Sequence, residues 1–158
     1  MLVPTVVRGE TAILECTADG AAGGGVAGMR AQEVRMPGTM YVSFRTWNVT
    51  RWMIDSATLF LHSGRGEAPR TVEIAVVPGI WSENDPPSAD PARLKFTSHD
   101  VEREPQDWLS IVVDAKLIEE LLSTKSHWLA VRVKNSAILH TRETRSYAPY
   151  LIVMGGRP

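Results

Sequence analysis

The tryptophans and tyrosines are the residues whose chemistry could define a role: Trp47, Trp52, Trp81, Trp108, Trp128, Tyr41, Tyr147 and Tyr150. Five tryptophans in 158 residues exceed the usual share, and an exposed indole makes a flat platform for the C–H face of a sugar ring. The same rings also fill cores. Trp81 and Trp108 open strand-like or loop-closing segments, where a large ring plugs the rim of a β structure. Trp128 differs: if Leu129, Val131 and Val133 point inward, strand alternation turns Trp128, Ala130, Arg132 and Lys134 outward. By the same parity Tyr41, Arg45 and Trp47 oppose Val42 and Phe44. Trp128, Trp47, Tyr41, Arg45 and Arg132 are therefore the expected ligand face. The indoles would stack on sugar rings, and the arginines would suit an acidic sugar through forked hydrogen bonds.

Other chemistry is thinly represented. His62, His99, His127 and His140 stand apart, without the close His, Cys or Glu spacing of a zinc site. His62 and His140 are expected to face solvent on strands, and His99 to sit in a loop. Cys16 lies in an apolar run with no histidine nearby and reads as a small buried hydrophobe rather than a nucleophile. No Gly-x-Ser-x-Gly elbow occurs, and Gly23-Gly24-Gly25 lacks the Gly-Lys-Ser/Thr that a phosphate loop requires. Glu119-Glu120 reads as a solvated helix face. Asp85 and Asp90, in a proline-rich loop, are the candidate metal ligands, and calcium is the ion that carboxylate and carbonyl oxygens there would take, although no EF-hand pattern is present. No nucleophile, base and stabiliser can be named together, so the expectation is a protein that is not an enzyme.

The elements that must position these residues are strands. Short alternating or apolar runs, broken by turn residues every ten or so positions, are the pattern of an all-β sandwich or barrel. Expected strands cover 10–17, 29–36, 40–47, 54–62, 71–77, 108–113, 128–134, 138–144 and 150–154, eight or nine in all. A Gly-rich loop is expected over 20–28, and a Pro-rich loop over 84–91, where Pro86, Pro87 and Pro91 forbid a regular ladder. Asp114 is placed to cap the one expected helix, Ala115 to Leu122, whose Leu117, Ile118, Leu121 and Leu122 form an apolar stripe. One helix cannot supply the crossovers of a parallel sheet, so the strands must be mostly antiparallel. Asp114 and Glu143 are expected to be structural, the second as an inward acid on a strand.

The chain reads as a single domain over 1–158, with 44% hydrophobic and 22% charged residues. At 17 basic against 18 acidic side chains its net charge of -1 gives no field for drawing in nucleic acid or an anionic membrane. No run approaches the roughly 20 apolar residues of a membrane helix. Met1 to Val7, broken by Pro4 and Thr5, lacks the pattern of a signal peptide, and the single cysteine forms no internal disulfide.

An ordered set of segments resembles the DNRLRE domain, a disaggregatase-related group of jelly-roll β-sandwich modules similar to carbohydrate-binding modules. The set runs from Thr17-Ala18-Asp19 and a Gly-rich loop through Tyr41-Val42-Ser43-Phe44, Ile54-Asp55-Ser56-Ala57-Thr58-Leu59-Phe60-Leu61 and Trp81-Ser82-Glu83. It continues with Trp108 to Asp114 leading into the helix, Trp128 to Arg132, Thr141-Arg142-Glu143 and Pro149 to Val153. The resemblance implies a jelly-roll sandwich of two antiparallel sheets with one short helix. It also implies a non-catalytic module that binds polysaccharide or oligosaccharide at a cell surface or outside the cell, beside neighbouring domains or as a homo-oligomer. The alternative is a structural or assembly domain whose exposed aromatics meet another protein.

Overall fold

A computed structural model describes residues 9–22, 25–64, 68–82, 84, 87 and 93–158. The strands are β1 (Glu10–Ala21), β2 (Glu33–Phe44), β3 (Met53–His62), β4 (Thr71–Val77), β5 (Thr97–Asp100), β6 (Glu102–Arg103), β7 (Trp108–Val113), β8 (Trp128–His140) and β9 (Tyr150–Gly156). Two α-helices accompany them among the described residues, α1 (Gly25–Met29) and α2 (Ala115–Ser123). Every pairing is antiparallel, in one nine-stranded sheet ordered β5-β4-β8-β2-β1-β9-β3-β7-β6. The sheet is nearly closed as a barrel. A bridge between Ser63 and Leu139 ties the end of β3 to β8, although the two strands lie apart in the order.

Strand β1 does two jobs. Glu10 to Glu15 pairs with β9, and Cys16 to Ala21 pairs with β2, the change falling at a register shift between Cys16 and Ala18. An extra residue in a strand bends it and tightens its twist, which lets one strand serve two directions of the sheet. Inward side chains from both halves meet in one core, including Leu14, Val42, Leu59, Ile74, Ile111, Leu129 and Leu151. Truncating any of these leucines to alanine costs about 2–5 kcal/mol, because the cavity left behind collapses only in part.

The sheet's other face between β4 and β1 is also covered. Ala18, Met29, Tyr41, Ala75, Val77, Trp128 and Ala130 form a second buried cluster, with Trp81, Leu94 and Phe96 packed against it. Met29, from α1, lies on that face, and Gly20 permits the approach: a Cβ there would stand 2.5 Å from the Gly28 carbonyl oxygen. Gly79, at φ +109, lies directly under the Trp81 indole, where a Cβ would meet the ring nitrogen at 2.6 Å.

Several boundaries differ from the sequence expectation. The Gly-rich segment is not all loop, since β1 runs through Ala21 and a helical turn follows over Gly25–Met29. Pro37-Gly38 does not end a strand: β2 passes through it at a register shift opposite β8. Proline lacks the N–H of a ladder, and it is tolerated here because β1 pairs only with Met40 to Phe44, leaving that edge of β2 free at Pro37. The two segments expected over 128–134 and 138–144 are one strand, β8, followed by a 3-10 turn at Arg142–Thr144. His99 lies in β5 rather than in a loop. Helix α2 begins where expected, with the Asp114 carboxylate accepting from the Lys116 N–H at 3.1 Å, and it buries Leu117, Ile118 and Leu121 against β3 and β4.

Candidate functional site

Among the described residues no helix covers the outer face of β1, β9, β3 and β7, and the register sets its residues in rows. Glu15, Tyr150, Phe60 and Ser110 are successive partners across the four strands. Ile13, Ile152, Thr58 and Val112 form the next row. Tyr150 and Phe60 stack with centroids 4.7 Å apart, and Trp108 meets Tyr150 edge-on at 5.3 Å. Burial and the Glu104 carboxylate push the Tyr150 phenol above its ordinary range.

Trp47 stands at one end of this face and is 74% exposed. With Ile13, Glu15, Arg45 and Asn48 it lines a shallow depression of about 210 Å³. The Arg45 N–H donates to the Glu15 carbonyl at 2.9 Å, which fastens the segment carrying Trp47 to β1, and the two side chains sit 3.9 Å apart as an ion pair. The depression thus holds an apolar plate, a cation, a carboxylate and an amide within one patch.

Two residues beyond Phe60, the last residues of β3 and β8 meet. His62 Nδ1 lies 2.7 Å from His140 Nδ1, and His62 Nε2 donates to the Gln106 carbonyl at 2.9 Å. Tyr147 stacks on the His62 ring at 3.8 Å, and Trp108 touches it edge-on at 5.1 Å. His62 is buried and His140 nearly so, which corrects the expectation that both face solvent. Burial and the neighbouring His62 hold the His140 imidazole below its ordinary value, with Glu33 opposing them.

The five residues expected to form one ligand face do not come together. Trp47 and Arg45 do share a patch. Trp128 and Tyr41 are each only 1% exposed, so neither can stack on a ligand from solvent. Their parity is as expected, opposite to Leu129 and Val42, but that side of the sheet is the second core, where the Trp128 indole N–H donates to the Trp81 carbonyl at 3.2 Å. Arg132 lies elsewhere again. It pairs with the Glu73 carboxylate and its guanidinium sits 4.0 Å above the Phe96 ring, beside an open groove of about 410 Å³. Hydrogen bonds from Lys134 and Arg132 hold the Glu73 carboxyl below its usual range. Asp85 and Asp90 lie outside the described residues, and among the described residues no three acids, histidines or cysteines gather as a metal site.

Glu143 is not an inward strand acid. It lies half-buried in the 3-10 turn, its N–H donating to the Thr141 hydroxyl at 3.3 Å. The buried acid is Asp19, whose Oδ2 accepts from the Arg142 N–H at 2.8 Å while its Oδ1 accepts no hydrogen bond among the described residues. Burial pushes this carboxyl up to about 7, and burial together with Asp19 pushes the Cys16 thiol well above its own range. Sequence reasoning missed His62, His140, Tyr147 and Asp19 because their partners are distant along the chain, 78 residues for the histidine pair and 123 for Asp19 with Arg142. No family model matches the chain, and no curated protein matches it.

Proposed function

We propose that the chain is a non-catalytic carbohydrate-binding module that takes polysaccharide along the outer face of β1, β9, β3 and β7, with Trp47 as its principal platform. The observation that carries this reading is the exposed Trp47 indole set among Arg45, Glu15 and Asn48. A sugar offers an apolar C–H face and a rim of hydroxyls that both donate and accept, and this patch offers the complement of each. The change of partner midway along β1 supports the finer architecture of a two-sheet jelly-roll sandwich, with one sheet on each half of that strand. The likeness to DNRLRE domains belongs to the same proposal. Thr17-Ala18-Asp19 and Thr141-Arg142-Glu143, two segments that carry it, pack together through Asp19 and through the Arg142 guanidinium, which donates to the Thr17 carbonyl at 2.5 Å.

A glycan array probed with and without calcium, and again with chelator, tests this reading. Binding that disappears in Trp47→Ala is the expected result, and calcium dependence would point to Asp85 and Asp90. A second reading, an assembly domain, is favoured by Ile13, Val112 and Met154, which are 60%, 71% and 44% exposed on the same face. Concentration-dependent size in solution with no glycan signal would select it.

A further inference from the structure

The histidine pair leaves one nitrogen without a hydrogen-bond donor among the described residues. His62 Nε2 faces a carbonyl oxygen at 2.9 Å, so it carries a hydrogen. With both rings neutral, His62 Nδ1 is then a bare acceptor, and the 2.7 Å contact makes His140 Nδ1 the donor. His140 Nε2 is consequently bare. It faces Glu33 Oε1 at 3.7 Å, and two acceptors make no hydrogen bond with each other. Both residues line a cavity of about 550 Å³ together with Gln32, Glu143, Arg145 and Tyr147, a size within the range of small-ligand pockets. Gly64 keeps the nitrogen accessible, since a Cβ there would stand 3.2 Å from it. The surroundings are held in unusual backbone: Gln106, Asp107 and Arg145 all have positive φ, at 62, 65 and 62°. Non-glycine residues persist in such conformations where the surrounding structure over-determines them, and ligand clamps are one such place.

Two adjacent acceptors facing one cavity match a ligand that carries two neighbouring donors. Neighbouring ring hydroxyls of a sugar stand about a hydrogen-bond length apart and fit that requirement, while Tyr147, 41% exposed, offers a ring edge beside them. We propose that this cavity is a second sugar site, seating a terminal sugar whose adjacent hydroxyls donate to His140 Nε2 and Glu33 Oε1, and that acid closes it. The proposal rests on the carbohydrate reading above but uses residues remote from Trp47.

Closure by acid follows from the hydrogen count. Among the described residues, the groups facing His140 are His62 from β3, Glu33 from β2, and Glu143, Arg145 and Tyr147 from the turn after β8. If a proton added to the pair makes His140 the cation, both its nitrogens carry hydrogen. If it makes His62 the cation, His62 Nδ1 donates to His140 Nδ1 and the His140 hydrogen resides on Nε2. Either way His140 Nε2 becomes a donor, pairs with Glu33 and withdraws both acceptors from the ligand.

The test uses the described chain with a panel of methyl glycosides of mannose, galactose, glucose and fucose, read by imidazole nitrogen resonances and by titration. At neutral pH the His140 ring should carry its hydrogen on Nδ1, and at least one glycoside should shift its Nε2 resonance. Affinity should fall severalfold as the pH is lowered from about 7.5 to about 5. Glu33→Ala and Gly64→Ala should weaken it similarly. An Nε2–H tautomer at neutral pH, a panel that leaves His140 unperturbed, or glycoside binding indifferent to pH and to Glu33→Ala would overturn the proposal. Polysaccharide binding that persists through Trp47 alone would sink this site and leave the proposed function standing. Absence of any glycan binding would remove both.

Discussion

Asp19 holds the Arg142 backbone N–H at 2.8 Å from 123 residues away, and it does so as a fully buried acid. One oxygen fastens the turn after β8 to β1, and the other accepts nothing among the described residues. The folded protein therefore keeps this carboxyl protonated to higher pH than the unfolded chain does, about 7 against 3.8.

The sign of the pH effect follows. Between about pH 4 and 7 the folded state binds more protons at Asp19 than the unfolded state, so this residue's contribution to stability falls as pH rises through that window. Asp19→Asn keeps an acceptor for Arg142 and removes the titration. Relative to the parent protein it should gain about 3–4 kcal/mol on going from pH 4 to pH 8. Urea unfolding of both proteins across that range measures the difference, and a pH-independent offset would show that Asp19 does not titrate there.

Trp47→Ala and Trp128→Ala should separate cleanly. The first removes an exposed ring and should abolish polysaccharide binding with a change in melting temperature of no more than a degree or two. The second empties a buried, hydrogen-bonded position and should cost about 3–5 kcal/mol. Melting curves and glycan binding measured together on both variants check the pair. A stable Trp128→Ala protein would contradict the second core.

Asp114→Ala removes the cap of α2 and should lower stability by about 1 kcal/mol, or roughly 2–4 °C in a chain of this size. Glu143→Ala should have little effect, because among the described residues the turn uses the Glu143 N–H, while its carboxylate makes no hydrogen bond and only repels the nearby Asp19. Equal losses in the two variants would mean that the Glu143 side chain has a partner of consequence.

The fold was legible wherever local chemistry decides. Thr71–Val77 and Trp108–Val113 are short, mostly apolar runs bounded by turn residues, and they match β4 and β7. The Asp114 cap is equally local. What failed were inferences about what lies over a surface. Alternation put Trp128 and Tyr41 on the face opposite Leu129 and Val42, and it could not say that Met29 and Trp81 would cover that face. The Pro37-Gly38 pair looks like a turn in isolation, and only the one-sided pairing of β2 makes it a bulge. The site was half legible for a similar reason: Trp47 and Arg45 are near neighbours in sequence, whereas His62 and His140 are 78 residues apart on strands that β2, β1 and β9 separate in the sheet order.

The position of β9 bears on how the chain acquires its structure. Tyr150–Gly156 is the last strand in sequence, yet it lies between β1 and β3 in the sheet. During synthesis the residues on either side of that gap emerge first and must wait, with Leu14 and Leu59 lacking the Leu151 that packs between them. Closing such a long-range pairing is slow compared with forming a local hairpin. The strand is thus a keystone: without it β1 and β3 would each present an unpaired, adhesive edge.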